Sequence, residues 1–163
     1  MVLTSMKQDI ESIKKSLINS GLGLDLTDEE LNEVAGIAVE LHFKKGKTII
    51  KEDSNTRDLF ILNEGQVSVR MMLPTIQFKE EVLTHISAPA IFGEFSLANG
   101  APRSATVSAD IEMIVYKLEY DQLVKLMENN YRIGYVLMRN LAAIIANRIR
   151  DNHRSSRNLM LGW

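Results

Sequence analysis

The 163-residue sequence contains no cysteine. That removes disulfide frameworks, thiolate metal sites and thiol nucleophiles at once, and it fits a reducing compartment. Charge of either sign is not in excess. Nineteen Lys and Arg against 21 Asp and Glu leave a net charge of -2, so the overall balance does not advertise nucleic acid or an acidic membrane as a partner. No apolar run is long enough to cross a bilayer. Lys7, Asp9, Glu11, Lys14 and Lys15 stand where a signal peptide would need its apolar core. No internal repeat or low-complexity segment is visible. These absences predict a cytoplasmic, soluble chain. What is present, 45% hydrophobic and 25% charged residues, is ordinary for a single globular domain that builds one real core.

Three zones follow one another. From Ser5 to Ser20, Met6, Ile10, Ile13, Leu17 and Ile18 recur at helical spacing, and Gly21 and Gly23 stop the run. Thr27 followed by Asp28, Glu29 and Glu30 reads as a helix start. The hydroxyl caps free backbone N–H groups, Glu30 holds the capping-box position, and the acids suit the positive end of the dipole. This second helix is predicted to reach about Leu41. From Phe43 onward, short apolar pieces alternate with turn residues such as Lys45-Gly46, Asp53-Ser54-Asn55, Asn63-Glu64-Gly65 and Asn99-Gly100. That cadence belongs to an antiparallel sandwich or barrel. Thr48–Ile50, Leu59–Leu62, Val67–Val69 and Ile111–Tyr116 are the clearest strands, and Gln66 to Met72 alternates polar and apolar positions. After a cap near Leu118 the chain turns helical again, over Tyr120–Glu128 and then from Tyr131 to about Arg150. Ile133, Leu137, Leu141, Ile144 and Ile145 fall on one side of that last helix. The predicted organisation is a helical extension over residues 1–26, the domain proper over 27–150, and a tail over 151–163.

The stretch Phe92 to Val107 carries the chemistry. Gly93 lets the backbone approach a ligand closely because it has no side chain. Phe95 to Ala98 is long enough for one helical turn, which Asn99-Gly100 closes, and the start of such a turn presents unpaired N–H groups to an anion. Pro102 fixes the approach to Arg103, which is predicted to begin a strand. Arg103 can offer two parallel donors to two phosphate oxygens, a geometry lysine cannot copy. Glu94, at the other end of the loop, can accept hydrogen bonds from a hydroxyl. An anion seat beside a hydroxyl acceptor suits a sugar phosphate.

Those residues resemble the cyclic nucleotide-binding domain family, shared by the bacterial catabolite activator and the regulatory subunits of cyclic-AMP-dependent kinase. The family's phosphate-binding cassette runs roughly F-G-E-x-[AS]-L-x-x-G-x-P-R-[AST]-A-T. Here Phe92, Gly93, Glu94, Ser96, Leu97, Gly100, Pro102, Arg103, Ser104, Ala105 and Thr106 match it. Upstream, Phe43, Gly46 and Ile49 look like the family's first strand pair, and Leu62, Gly65 and Val67 like its hairpin, so the resemblance covers about Leu31 to Arg150. It implies a mainly β fold with flanking helices: an eight-stranded antiparallel β-roll, jelly-roll-like, with helices at both ends. It implies further that Arg103 binds the cyclic phosphate and Glu94 the ribose 2′-hydroxyl. Gly93, Phe95 and Ser96 add backbone contacts, and Ser104 and Ala105 close the phosphate side. Ser104 fits relatives that resemble cyclic-AMP binders, which favours cyclic AMP over cyclic GMP. One departure is Asp53, where the family usually carries glycine; aspartate tolerates left-handed backbone better than most residues.

The expected function is that of a stand-alone sensor of a cyclic nucleotide, not an enzyme, with no cofactor, no metal, no direct DNA binding and an unidentified downstream protein. In dimeric relatives the last helix pairs with its twin, and Leu137, Leu141 and Ile144 run at the four-then-three spacing of such a seam; the same stripe equally suits packing on the chain's own β-roll. Two alternatives stand beside this reading. One is a ligand-free dimerisation or docking module of the same fold. The other is a cupin-type enzyme, which needs clustered histidines such as an H-x-H pair; His42, His85 and His153 are scattered. Trp163 is a candidate lid on the purine or a local packing residue. Lys44, Lys45, Lys47 and Lys51 read as a solvated strand edge, and Arg148, Arg150, Arg154 and Arg157 as a charged helix end.

Overall fold

Every residue of Leu59-Phe60-Ile61-Leu62 is apolar, so a strand there must be covered on both of its faces. The computed structural model, which describes residues 9–73 and 80–161, builds the molecule around that requirement. In chain order the elements are α1 (Ile10–Asn19), α2 (Asp28–Gly36), β1 (Ala38–Phe43), β2 (Thr48–Ile50), β3 (Leu59–Glu64), β4 (Gln66–Met72) and β5 (Glu80–Ser87). There follow β6 (Ala90–Phe92), α3 (Glu94–Asn99), β7 (Thr106–Ala109), β8 (Met113–Leu118), α4 (Tyr120–Asn129) and α5 (Tyr131–Leu161). Two four-stranded sheets, ordered β1-β8-β3-β6 and β2-β7-β4-β5, are antiparallel throughout. This is the eight-stranded β-roll with helices at both ends.

β3 divides two cores. Phe60 and Leu62 point into the roll with Ile50, Val67, Phe92, Val107, Met113 and Val115. Leu59 and Ile61 point the other way, into a helical layer with Ile13, Leu17, Val34, Leu123, Ile133, Leu137 and Leu141. The Phe60 and Phe92 rings stack at 5.1 Å between centroids, seating the end of β6 where the cassette begins.

Several boundaries differ from expectation. Asp9 caps α1 by accepting from the Ser12 N–H, so the first helix begins at Ile10; Ser5 to Gln8 lie outside the described residues. The capping box at α2 is present, with the Thr27 hydroxyl and Glu30 carboxylate each accepting from the other's backbone N–H. That helix stops at Gly36 rather than near Leu41. Ala38 to Phe43 instead pair with β8 along six residues, turning Leu41 and Phe43 toward the interior of the roll. Tertiary pairing overrides a sequence that could have continued as helix. The last strand runs two residues later than expected, leaving Ile111 half exposed in the turn before it. Arg103 precedes β7, which starts at Thr106. Asp53 adopts φ +62°, the left-handed backbone its position demands. Helix α5 does not stop near Arg150 but continues to Leu161; Trp163 lies outside the described residues. Leu137 and Leu141 are buried in the chain's own helical core and are not free as a seam. Exposed positions of α5 include Tyr131, Tyr135, Met138 and Ala142. Among the described residues no helix is long and apolar enough to cross a membrane.

Candidate functional site

The cassette is built from β6, α3 and the loop that leads into β7. Gly93 joins strand to helix at φ +83°, and a Cβ there would stand 2.8 Å from Arg103 Nη1 and 3.0 Å from the Asp58 carbonyl oxygen. Both the backbone conformation and the lack of space therefore require glycine. At the far end of α3 the Gly100 N–H donates to the Ser96 carbonyl, and the left-handed backbone of Gly100 turns the chain back.

Arg103 lies at the centre and is 3% exposed. Its Nε donates to Thr56 Oγ1 at 2.9 Å, its Nη1 to the Gly93 carbonyl at 2.7 Å and its Nη2 to the Asp58 carbonyl at 2.7 Å. A guanidinium has five N–H donors, so one N–H on each terminal nitrogen remains after these three bonds. None of the three acceptors is a carboxylate. Burial pulls the guanidinium below its ordinary pKa, with the charges of Asp58 and Glu94 opposing; arginine nevertheless stays protonated in proteins. The result is a buried cation held in place by neutral oxygens, a state that a bound anion stabilises.

All seven residues singled out in the sequence, Gly93, Glu94, Phe95, Ser96, Arg103, Ser104 and Ala105, line one cavity of about 570 Å³. Glu94 and Ser96 are buried, whereas Phe95 and Ser104 are exposed. Val69, Met71, Leu83 and Ile149 add an apolar wall to the same cavity. Its size and its mixture of apolar wall and few polar groups are those of a small-molecule site.

One site residue differs from its sequence expectation. Arg148, whose sequence position suggests a charged helix end, reaches from α5 to pair with Glu94 and to donate to the Ile91 carbonyl. A signal was available: Leu137, Leu141, Ile144 and Arg148 continue one four-three-four stripe, so the arginine occupies a position on the packed face. Thr56 and Asp58, which hold Arg103, carry no comparable mark in the sequence. His42 and His85 are on different sheets, each beside a carboxylate of its own, Glu40 and Asp110.

Comparison with known proteins bears on the family and the fold. A family model for the cyclic nucleotide-binding domain matches residues 40–130. Among curated relatives, a cAMP-dependent protein kinase regulatory subunit of Mycosarcoma maydis is 39% identical over 67 residues, 41% of this chain and 12% of that protein. Glutaminase 2 of Bradyrhizobium diazoefficiens is 25% identical over 147 residues, 90% of this chain and 22% of that protein. The chain thus spans less than a quarter of the length of either relative. Among solved structures, a cyclic nucleotide-binding domain from Methylobacillus flagellatus superposes with a TM-score of 0.83 at 22% identity, covering 95% of this chain and 86% of that one.

Proposed function

The chain belongs to the cyclic nucleotide-binding domain family, and from that premise we propose that it is a sensor module that binds a cyclic nucleotide monophosphate in the cassette cavity, cyclic AMP in preference to cyclic GMP. The observation that carries this reading is the buried Arg103 guanidinium, whose bonds go only to neutral oxygens. Its remaining N–H groups meet the cyclic phosphate. Glu94 accepts the ribose 2′-hydroxyl, Gly93, Phe95 and Ser96 contribute backbone contacts, and Ser104 and Ala105 close the phosphate side. The purine lies along Val69, Met71, Leu83 and Ile149. The preference for adenine rests on the family pattern around Ser104.

Arg148 has a part in the same reading. Arg103, Glu94 and Arg148 together carry one positive charge, which matches the single negative charge of a cyclic phosphate diester. Without Arg148, Glu94 would oppose that anion at close range. Because Arg148 is carried by α5, ligand binding and the docking of α5 are linked, and each favours the other by the same factor. The module therefore reports occupancy through its C-terminal helix, shifting a balance between two arrangements.

The test is thermal unfolding of nucleotide-free protein with saturating cyclic AMP or cyclic GMP, on wild type and Arg103→Ala. A ligand at a hundred times its dissociation constant adds about 2.7 kcal/mol to the folded state. For a domain of this size the midpoint rises by roughly 5–10 °C. The expected outcome is a larger rise with cyclic AMP than with cyclic GMP, and none in the variant. No rise with either nucleotide on wild type overturns the reading and leaves a ligand-free docking module in its place.

A further inference from the structure

Arg57 lies outside the cavity, yet its guanidinium touches both the cassette and the helical layer. Its Nη2 donates to the Gly100 carbonyl at 3.0 Å, at the C-terminal end of α3. Its Nη1 donates to the Tyr120 hydroxyl at 3.1 Å, and its charged carbon stands 5.1 Å from the centroid of the Tyr120 ring. Tyr120 is the first residue of α4. The approach to Gly100 depends on that residue's missing side chain, since a Cβ there would come within 2.6 Å of Arg57 Nη2. Asp58 completes the arrangement: its carboxylate accepts the Tyr120 N–H at 2.9 Å. Tyr120 is thus held at its amide by one residue and at its ring and hydroxyl by the residue before it.

We propose that Arg57 is a positioning residue that couples the cassette to α4, transmitting displacement of α3 to the head of the helical layer; this rests on the nucleotide-binding reading above. The short helix α3 has six residues, so a movement at its ligand-facing end reaches the Gly100 carbonyl as a near-rigid shift. A planar guanidinium can bond two acceptors in different directions while its face lies against an aromatic ring. A lysine ammonium has three donors, but on one point of a flexible stem and with no flat face to lie on the ring, so it cannot hold both acceptors and the ring in a fixed relation. Nothing in Arg57 contacts the cavity, so its effect on the ligand is exerted through Gly100 and Tyr120.

The experiment is amide hydrogen exchange on the full chain, in two arms. In the first, exchange over Tyr120–Asn129 is compared with and without saturating cyclic AMP. Wild type shows a nucleotide-dependent change, and in Arg57→Met that change shrinks about five- to tenfold, the low end of ordinary allosteric coupling, although the site is saturated. Arg57→Lys behaves like Arg57→Met. An undiminished change in Arg57→Met, or full restoration by lysine, overturns the proposal, as does a nucleotide that binds wild type and leaves α4 exchange unaltered. The second arm needs no nucleotide. Tyr120→Phe keeps the ring and removes the hydroxyl, and exchange is read at Gly100 and Ala101, whose amides donate to Ser96 O and Asn99 Oδ1. Coupling makes those amides exchange faster by about threefold or more; unchanged exchange overturns it. If wild type binds neither cyclic nucleotide, the binding reading fails, and the second arm alone decides whether Arg57 couples the two regions.

Discussion

Helix α5 carries two arginines that each meet a glutamate, and the two pairs differ in what the glutamate is otherwise bound to. Near its start, Arg132 pairs with Glu30 and also donates to the Asp25 carbonyl. Glu30 accepts the Thr27 N–H as well, so it closes the capping box of α2 and the ion pair together. About four turns later Arg148 pairs with Glu94, whose side chain is 2% exposed and has no capping duty. Among the described residues Arg148 is the polar partner of Glu94, and the cavity lies beside both. The first carboxylate is tied to the chain's own backbone as well as to its arginine. The second retains capacity for another donor. Identical chemistry thus serves as an anchor at one end of the helix and lines the cavity at the other.

That comparison breaks most easily at the cavity end. Glu94→Gln keeps the shape and removes the charge, and hydrogen bonds to charged groups are worth about 1.5–3 kcal/mol. Cyclic AMP affinity, measured by calorimetry, is expected to fall about ten- to a hundredfold. An affinity within a factor of two of wild type would mean that the ribose is held elsewhere. At the other end Glu30→Ala loses the Glu30 half of the capping box and the ion pair, costing about 1–2 kcal/mol of stability. The melting midpoint drops by about 2–8 °C with nucleotide affinity unchanged; a loss of affinity matching that of Glu94→Gln would erase the distinction. Arg148→Met sharpens the contrast more gently. Its side chain is 30% exposed, so water screens much of the pair, and affinity weakens by about two- to fivefold; an increase would mean that arginine and ligand compete for the carboxylate.

The smallest effect is in acid. Hydrogen bonds from Arg132 and then from the Thr27 backbone hold the Glu30 carboxyl below its ordinary value of 4.5. The folded chain therefore releases this proton more readily than the unfolded chain. The stability Glu30 contributes is complete above pH 4.5 and is lost as pH falls below that value through the folded-state pKa. The difference in midpoint between wild type and Glu30→Ala should narrow across that interval; a constant difference would show that the cap, not the charge, carries the effect.

The cassette was legible because it is local. Gly93, Glu94 and Arg103 act within eleven residues of one another, and each has a residue type that its geometry demands. Asp53 was legible for the same reason. What the sequence concealed depends on pairing across the chain. Ala38 to Phe43 become a strand only because β8 offers them an edge, and no local pattern distinguishes them from a continued helix. The hydrophobicity of Ile111 suggests a strand, although the turn leaves it half exposed. Arg148 is 54 positions from the glutamate it meets. Only its place on the packed stripe of α5 marked it, and a charged residue near a helix end is usually solvated. Thr56, Asp58 and Arg57 are ordinary loop residues whose roles appear once Arg103 and Tyr120 are in position.

The two-faced burial of β3 bears on how the protein can be cut or rebuilt. Phe60 and Leu62 belong to the roll, while Leu59 and Ile61 belong to the helices. An excised roll would present Leu59, Ile61, Ile91, Tyr116 and Leu118 to water as a continuous greasy sheet face, a surface prone to self-association. Roll and helices share the two faces of β3, and a transplanted cassette needs its helices as escorts. Grafting this domain into another protein is best done with both layers carried across intact.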